Sequence, residues 1–192
     1  MGTMAVEKPR YPAPLMPQDR GWTVDDLDAL PDDGFRYELI DGTLLVTPAP
    51  VPGHQRAARS IFRILDCLCP PDSEVFFAPL DFQPDRRNSV EPDVLVVRRE
   101  DVGVKCIERP LQLAVEVFSP TTRRRDQSLK RSVYEESGVA SYWMFDPEVP
   151  SLLVCELVDG RYVDVAKAAG EEEILVERPF PVRLCPAELA EG

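Results

Sequence analysis

Residues 113–130 read LAVEVFSPTTRRRDQSLK, an apolar run that turns abruptly polar. The first part has the length and near-continuous apolarity of a strand buried on both faces. Glu116 interrupts it, and a lone carboxylate there is costly to bury unless something pairs with it. The intervening SPTT can turn the chain back, and residues 126–137 follow with a helical pattern, Leu129 and Val133 apolar and Gly138 as the stop. A buried strand with a helix returning over it predicts an α/β domain.

The surrounding chain supplies the rest of that domain. TVDDLDAL (23–30) opens with Thr23 as an N-cap and acids in the first turn, predicting a short helix. FRYELIDGTLLVTP (35–48) predicts a hairpin turning at Asp41–Gly42. TPAPVPGHQ (47–55) is punctuated as a loop, and HQRAARSIFRILDCL (54–68) places Ala57, Ala58, Ile61, Leu65 and Leu68 at helical spacing. SEVFFAPLDFQP (73–84) alternates as a strand, VEPDVLVV (90–97) is an apolar strand entered through Pro92–Asp93, and ASYWMFDP (140–147) is another. SLLVCELVDGRYVDV (151–165) predicts a strand pair turning at Asp159–Gly160. Together these predict a central mixed β-sheet flanked by helices, an α/β architecture of the α+β mixed-sheet kind.

Composition narrows the function classes. The 192 residues are enough for one well-buried domain, read as residues 21–192 behind a Pro-rich, flexible arm at 1–20. No run of eighteen apolar residues exists to span a membrane, and the arm lacks the apolar core of a signal peptide. Five scattered cysteines and a single histidine offer no zinc framework; the cysteines read as small buried hydrophobes of a reducing, cytoplasmic protein. The net charge of −12 argues against broad electrostatic attraction to DNA. That charge is uneven. From Glu135 onward there are 13 acids against 4 bases, so basic groups concentrate earlier, in Arg86–Arg87, Arg98–Arg99 and Arg123–Arg124–Arg125.

Three acids stand where a simple core would not put them: Glu38 in YELIDG, Asp93 in EPDVLVV and Glu116 in LAVEVF. Adjacent strands lie about 4.8 Å apart, so acids at matching heights can share one divalent ion. Oxygen ligands without His or Cys favour Mg²⁺ or Mn²⁺. Each acid also has a plainer reading. Asp93 can terminate a loop, Glu38 can face solvent on a hairpin, and an arginine can satisfy Glu116 in a buried ion pair. Asp126, Lys130 and Tyr134, spaced by four, lie along one helical face from which Lys130 can reach a phosphate or a water at the strand ends. As a surface pair, Asp126–Lys130 is worth only about 0.3–0.5 kcal/mol. His54 stands near a helix start, where it either bonds a backbone group or takes part in catalysis. Neither a phosphate-cradling Gly-rich loop nor a nucleophile elbow is present.

The succession YELIDG, APVPGHQ, EPDVLVV and LAVEVFSPTTRRRDQSLKRSVYEESGVASYWMFDP resembles the Uma-two family, a bacterial, restriction-endonuclease-like group of the PD-(D/E)XK nuclease superfamily. The resemblance implies a restriction-endonuclease-like core binding a divalent metal at its active edge. Asp93 matches the Asp after Pro in the superfamily signature, and Glu116 matches the acid that follows. The lysine expected two residues beyond Glu116 is replaced by Phe118, and it resembles one relocated to Lys130, with Asp126 and Tyr134 as neighbours. Glu38 matches the acid of the early element, and His54 a recurrent position without an assigned role.

The implied activity is metal-dependent hydrolysis of DNA phosphodiester bonds. Asp93 and Glu116 would hold Mg²⁺ or Mn²⁺, Glu38 would bind through water, and Lys130 would serve the water or the developing charge. Substrate contacts fall to His54, Asp126, Tyr134, Arg123 and Arg124, with Arg86–Arg87 as a further basic patch. On this reading Lys130→Met keeps the fold and removes most activity. Two alternatives are a nuclease-fold binding module without turnover and, ranked last, a glycosidase using Asp93 and Glu116 as paired acids. Exposed edge strands and the acidic C-terminal portion allow a homodimer.

Overall fold

The structure is a computed structural model that describes residues 20–31, 34–47, 49–118 and 126–192. It is built on a six-stranded mixed sheet with a four-stranded antiparallel sheet beside it. The smaller sheet starts with the hairpin β1 (Arg36–Ile40) and β2 (Thr43–Thr47). Its turn uses Asp41 and Gly42 with φ of 46° and 72°, the left-handed pair that an Asp-Gly hairpin requires. Strands β4 (Phe82–Asp85) and β5 (Asn88–Val90) complete the order β2-β1-β5-β4.

The larger sheet has the order β10-β9-β8-β7-β6-β3, with β3 spanning Ser73–Phe77, β6 Val94–Arg98, β7 Leu113–Val117, β8 Ser141–Asp146, β9 Ser151–Val158 and β10 Arg161–Ala169. Only β7 and β8 run parallel, as their helical connection demands. The second Asp-Gly turn, Asp159–Gly160, joins β9 to β10, again with both φ positive.

Helix α1 (Val24–Leu27) is capped as its sequence implies, Thr23 and Asp26 forming a capping box. Helix α2 (Pro52–Leu68) starts two residues before the predicted segment. Pro52 and Gly53 are therefore its first turn and not the end of a loop, because a proline's fixed φ and missing N–H suit the first helical position. The predicted helix over 126–137 divides into a π-turn at Asp126–Lys130 and helix α3 (Arg131–Glu136), with Gly138 at φ 76° ending it. The single strand expected over 73–84 also divides, into β3 and β4 on different sheets.

Period-two alternation in β6, β7 and β8 sends side chains to two cores. On one face Val94, Val96, Val115 and Trp143 pack against Ala57, Ala58, Ile61 and Leu65 of α2. On the other, Leu95, Ala114, Tyr142 and Met144 pack against Val133 and Tyr134 of α3. Full burial of a residue such as Ile61 or Leu65 contributes about 1.5–3 kcal/mol, which is what clamps α2 to the sheet. The C-terminal strands β11 (Ile174–Val176) and β12 (Val182–Leu184) and helix α4 (Pro186–Glu191) close the α2 side. The reading of the cysteines holds for Cys155 and Cys185 alone: Cys67 is exposed, and Cys69 and Cys106 are half-buried. Among the described residues no helix is long and apolar enough to cross a membrane.

Candidate active site

Antiparallel pairing of Val94 with Val115 carries Asp93 and Glu116 to the same end of the central sheet. Asp93 is buried there, and its Oδ2 accepts the backbone N–H of Val117 at 2.8 Å. His54 of α2 places Nε2 3.1 Å from the same oxygen. An ionised carboxylate only accepts, so Nε2 carries the hydrogen and Nδ1 is the other ring nitrogen, buried without a partner among the described residues. On the far side Oδ1 meets Arg36 of β1 at 3.5 Å, a long contact. Burial by itself pushes the Asp93 carboxyl up; the hydrogen bond and charge of His54, then Arg36 and Lys130, outweigh it and hold the group below the usual carboxylate value.

Glu116 is partnered by Lys130. The lysine is only 2% exposed, and its Nζ lies 2.9 and 3.0 Å from the two Glu116 oxygens. The same Nζ is 2.8 Å from Oε1 of Glu38 on β1. Tyr134 of α3 donates its hydroxyl to Glu116 Oε1 at 2.6 Å. Burial, with the adjacent Glu116 charge adding to it, raises the phenol well above its ordinary value, so Tyr134 stays a donor. Glu38 Oε1 also accepts the Glu91 amide at 2.8 Å. Lys130 and Tyr134, one helical turn apart, thus converge on one carboxylate.

Arg36 and Glu91 complete the network and were not singled out in the sequence. Arg36 Nε is 2.7 Å from Glu91 Oε1, and its Nη1 donates to the Glu91 carbonyl at 3.3 Å. Burial lowers the guanidinium pKa, but Asp93 and Glu91 together more than reverse that, so Arg36 remains charged. Burial likewise raises the Glu91 carboxyl, opposed mainly by Arg36. The visible signal was local: both residues flank the acids already suspected, in RYE and EPD.

The site thus gathers Glu38, Asp93, Glu116, Lys130, His54 and Tyr134. Asp126 begins the π-turn. Arg123 and Arg124 lie outside the described residues. Arg86 pairs with Asp25 of α1, and Arg87 pairs with Asp41 at the β1–β2 turn. Among the described residues, α2 also brings basic groups toward the site. Arg56, Arg59 and Arg63 line a cleft of about 420 Å³ that has His54 and Asp93 in its wall.

Among the described residues no group of three or more His, Cys, Asp or Glu stands ready to hold a metal ion. The donor chemistry nevertheless suits a hard divalent ion, which commonly takes one or two carboxylates and completes its shell with water and substrate phosphate. Asp93 and Glu116 are such a pair. Among the described residues, four buried or half-buried carboxylates (Glu38, Glu91, Asp93, Glu116) meet the cations Arg36 and Lys130.

Comparison with known proteins agrees with this architecture. A solved structure described as a putative nuclease belonging to DUF820 from Anabaena variabilis ATCC 29413 superposes with a TM-score of 0.70. It is 18% identical, and the match covers 88% of this chain and 97% of that one, so the two share a fold. No curated protein matches the chain. The fold is restriction-endonuclease-like. The chain belongs to the Uma2 family, whose model, described as "Putative restriction endonuclease", matches residues 24–188.

Proposed function

We propose that this protein is a Mg²⁺- or Mn²⁺-dependent endonuclease of the PD-(D/E)XK type that hydrolyses DNA phosphodiester bonds. The observation that carries the reading is Lys130: a buried ammonium held within 3.0 Å of Glu116 and Glu38, beside Asp93 at one sheet end. Asp93 and Glu116 would hold the metal and Glu38 would contact it through water. When bound, the metal lowers the pKa of a water and neutralises phosphate charge.

The chain's own residues do the rest. Val117 N–H and His54 fix the Asp93 carboxylate in one orientation. Tyr134 and Lys130 do the same for Glu116. When the substrate phosphate competes with Glu116 for Lys130, the ammonium donates to it and favours the charge that develops as water adds and the sugar oxygen leaves. The reading carries with it a cytoplasmic enzyme, with a homodimer as its assembly.

A supercoiled plasmid incubated with Mg²⁺ or Mn²⁺ tests it. Metal-dependent nicking by the wild-type protein, lost in Glu116→Gln and Asp93→Ala, is expected. Equal nicking by both variants would overturn the assignment. One observation favours a second reading, a nuclease-fold binding module: Lys130 already occupies both oxygens of Glu116. That module would bind DNA and leave it uncut under every metal tried.

A further inference from the structure

The cleft on the outer side of Asp93 has two kinds of wall. One is the exposed face of α2, where Arg56, Arg59 and Arg63 follow one another at helical spacing over about 10 Å. Among the described residues, none of the three pairs with a carboxylate, and every other arginine except Arg109 does. In a chain of net charge −12, three unpaired guanidiniums on one cleft are a concentrated exception.

The other wall is aromatic. Phe77 ends β3, the edge strand of the central sheet, and is 58% exposed. Its ring meets Phe62 of α2 edge-on, the centroids 4.8 Å apart at 67°. An exposed phenylalanine beside a row of arginines serves little purpose for stability. At the inner end sit Asp93 and His54, whose buried Nδ1 lacks a partner within the described chain.

We propose that this cleft seats a single-stranded DNA segment, one base stacking on Phe77 while Arg56, Arg59 and Arg63 follow the phosphates toward Asp93. The inference rests on the nuclease reading for its substrate but not for its binding surface. Guanidiniums suit phosphate oxygens in a bidentate manner, and a base can reach an aromatic face only when it is out of the duplex stack. The volume, about 420 Å³, is that of a site for a group of nucleotide size and too small for a duplex. Preference for a strand, flap or gap over a closed duplex follows.

Binding is read by fluorescence anisotropy of labelled oligo-dT on the full chain in EDTA, so that cleavage plays no part. The expected result is tighter binding of the strand than of an equal-length duplex. The Arg59→Gln/Arg63→Gln variant should flatten the dependence of log Kd on log salt by about 0.7 per arginine. Phe77→Ala should weaken binding about ten-fold with an unchanged salt slope, since stacking releases no counterions. Arg109→Gln, outside the cleft, is the control and should leave both quantities alone. All four side chains are exposed, and tryptophan fluorescence of Trp143 verifies each fold. Equal affinity for duplex, or wild-type slopes and affinities in the cleft variants, overturns the proposal. Arginine-dependent strand binding without nicking under any metal would instead retain the cleft and refute the nuclease.

Discussion

Lys130→Met removes a buried cation that lies between Glu38 and Glu116, so its effect on stability can be worked from the structure before activity is considered. The wild-type Nζ makes three contacts of 2.8–3.0 Å with two carboxylates that are themselves almost fully buried. Methionine fills similar volume but takes the ammonium away from both acids, a loss of about 3–5 kcal/mol for breaking a buried pair from one side. At about 2–4 °C per kcal/mol for a domain of this size, the midpoint should fall by roughly 6–20 °C. That exceeds what the sequence alone suggests, where Lys130→Met is expected to keep the fold. Urea unfolding followed by the fluorescence of the buried Trp143 measures the change. Adding Glu38→Gln to Lys130→Met should recover part of the loss, because one of the two stranded charges is gone. A single-variant loss below about 0.5 kcal/mol, the size of an exposed pair, would refute the view of Lys130 as a buried compensating cation. Any activity lost in Lys130→Met therefore has to be compared with the double variant at a temperature where both are folded.

Other outcomes follow from the same geometry. Tyr134→Phe deletes a 2.6 Å hydrogen bond to a buried carboxylate and should cost about 1.5–3 kcal/mol by chemical denaturation, whereas a loss near zero would mean water replaces the hydroxyl. Asp26, bonded by Arg20 and by the Thr23 side chain and amide, has its carboxyl lowered to about 2. A depressed folded value means its contribution to α1 is present above the ordinary 3.8 and fades as pH falls toward 2, so carboxyl NMR should show a midpoint near 2; one near 3.8 would contradict the capping geometry. Burial, then the Asp164 contact, pushes the Cys155 thiol up to about 11, while Cys67 is exposed. Alkylation at pH 8 should accordingly mark Cys67 first, and mass spectrometry showing Cys155 labelled ahead of it would argue against that burial.

Legibility in the sequence followed the range of each interaction. Both Asp-Gly turns, the capped start of α1, the apolar face of α2 and the two-sided burial of β7 rest on neighbours within a few residues, and all of them appear in the fold. The π-turn at Asp126–Lys130 did not show, because a helical pattern records which residues are apolar and not how many residues close each turn. The site divides in the same way. Asp93, Glu116, Glu38 and Lys130 were visible as misplaced charges. Their pairing was not.

From the sequence alone come the elements, the odd acids within them and the resemblance to a nuclease family. Only the tertiary structure decided that Glu116 meets Lys130 and Tyr134 together, that Glu38 of β1 shares that lysine, and that Arg36 and Glu91 tie the two acid groups together. It also set Arg56, Arg59 and Arg63 of α2 along one cleft and brought Phe77 of β3 beside them. The reason is physical. Local propensity and periodicity act through neighbours along the chain, whereas a buried charge is satisfied by whichever partner strand register and helix packing bring within 3 Å, here from residues 53 and more positions away as readily as 14.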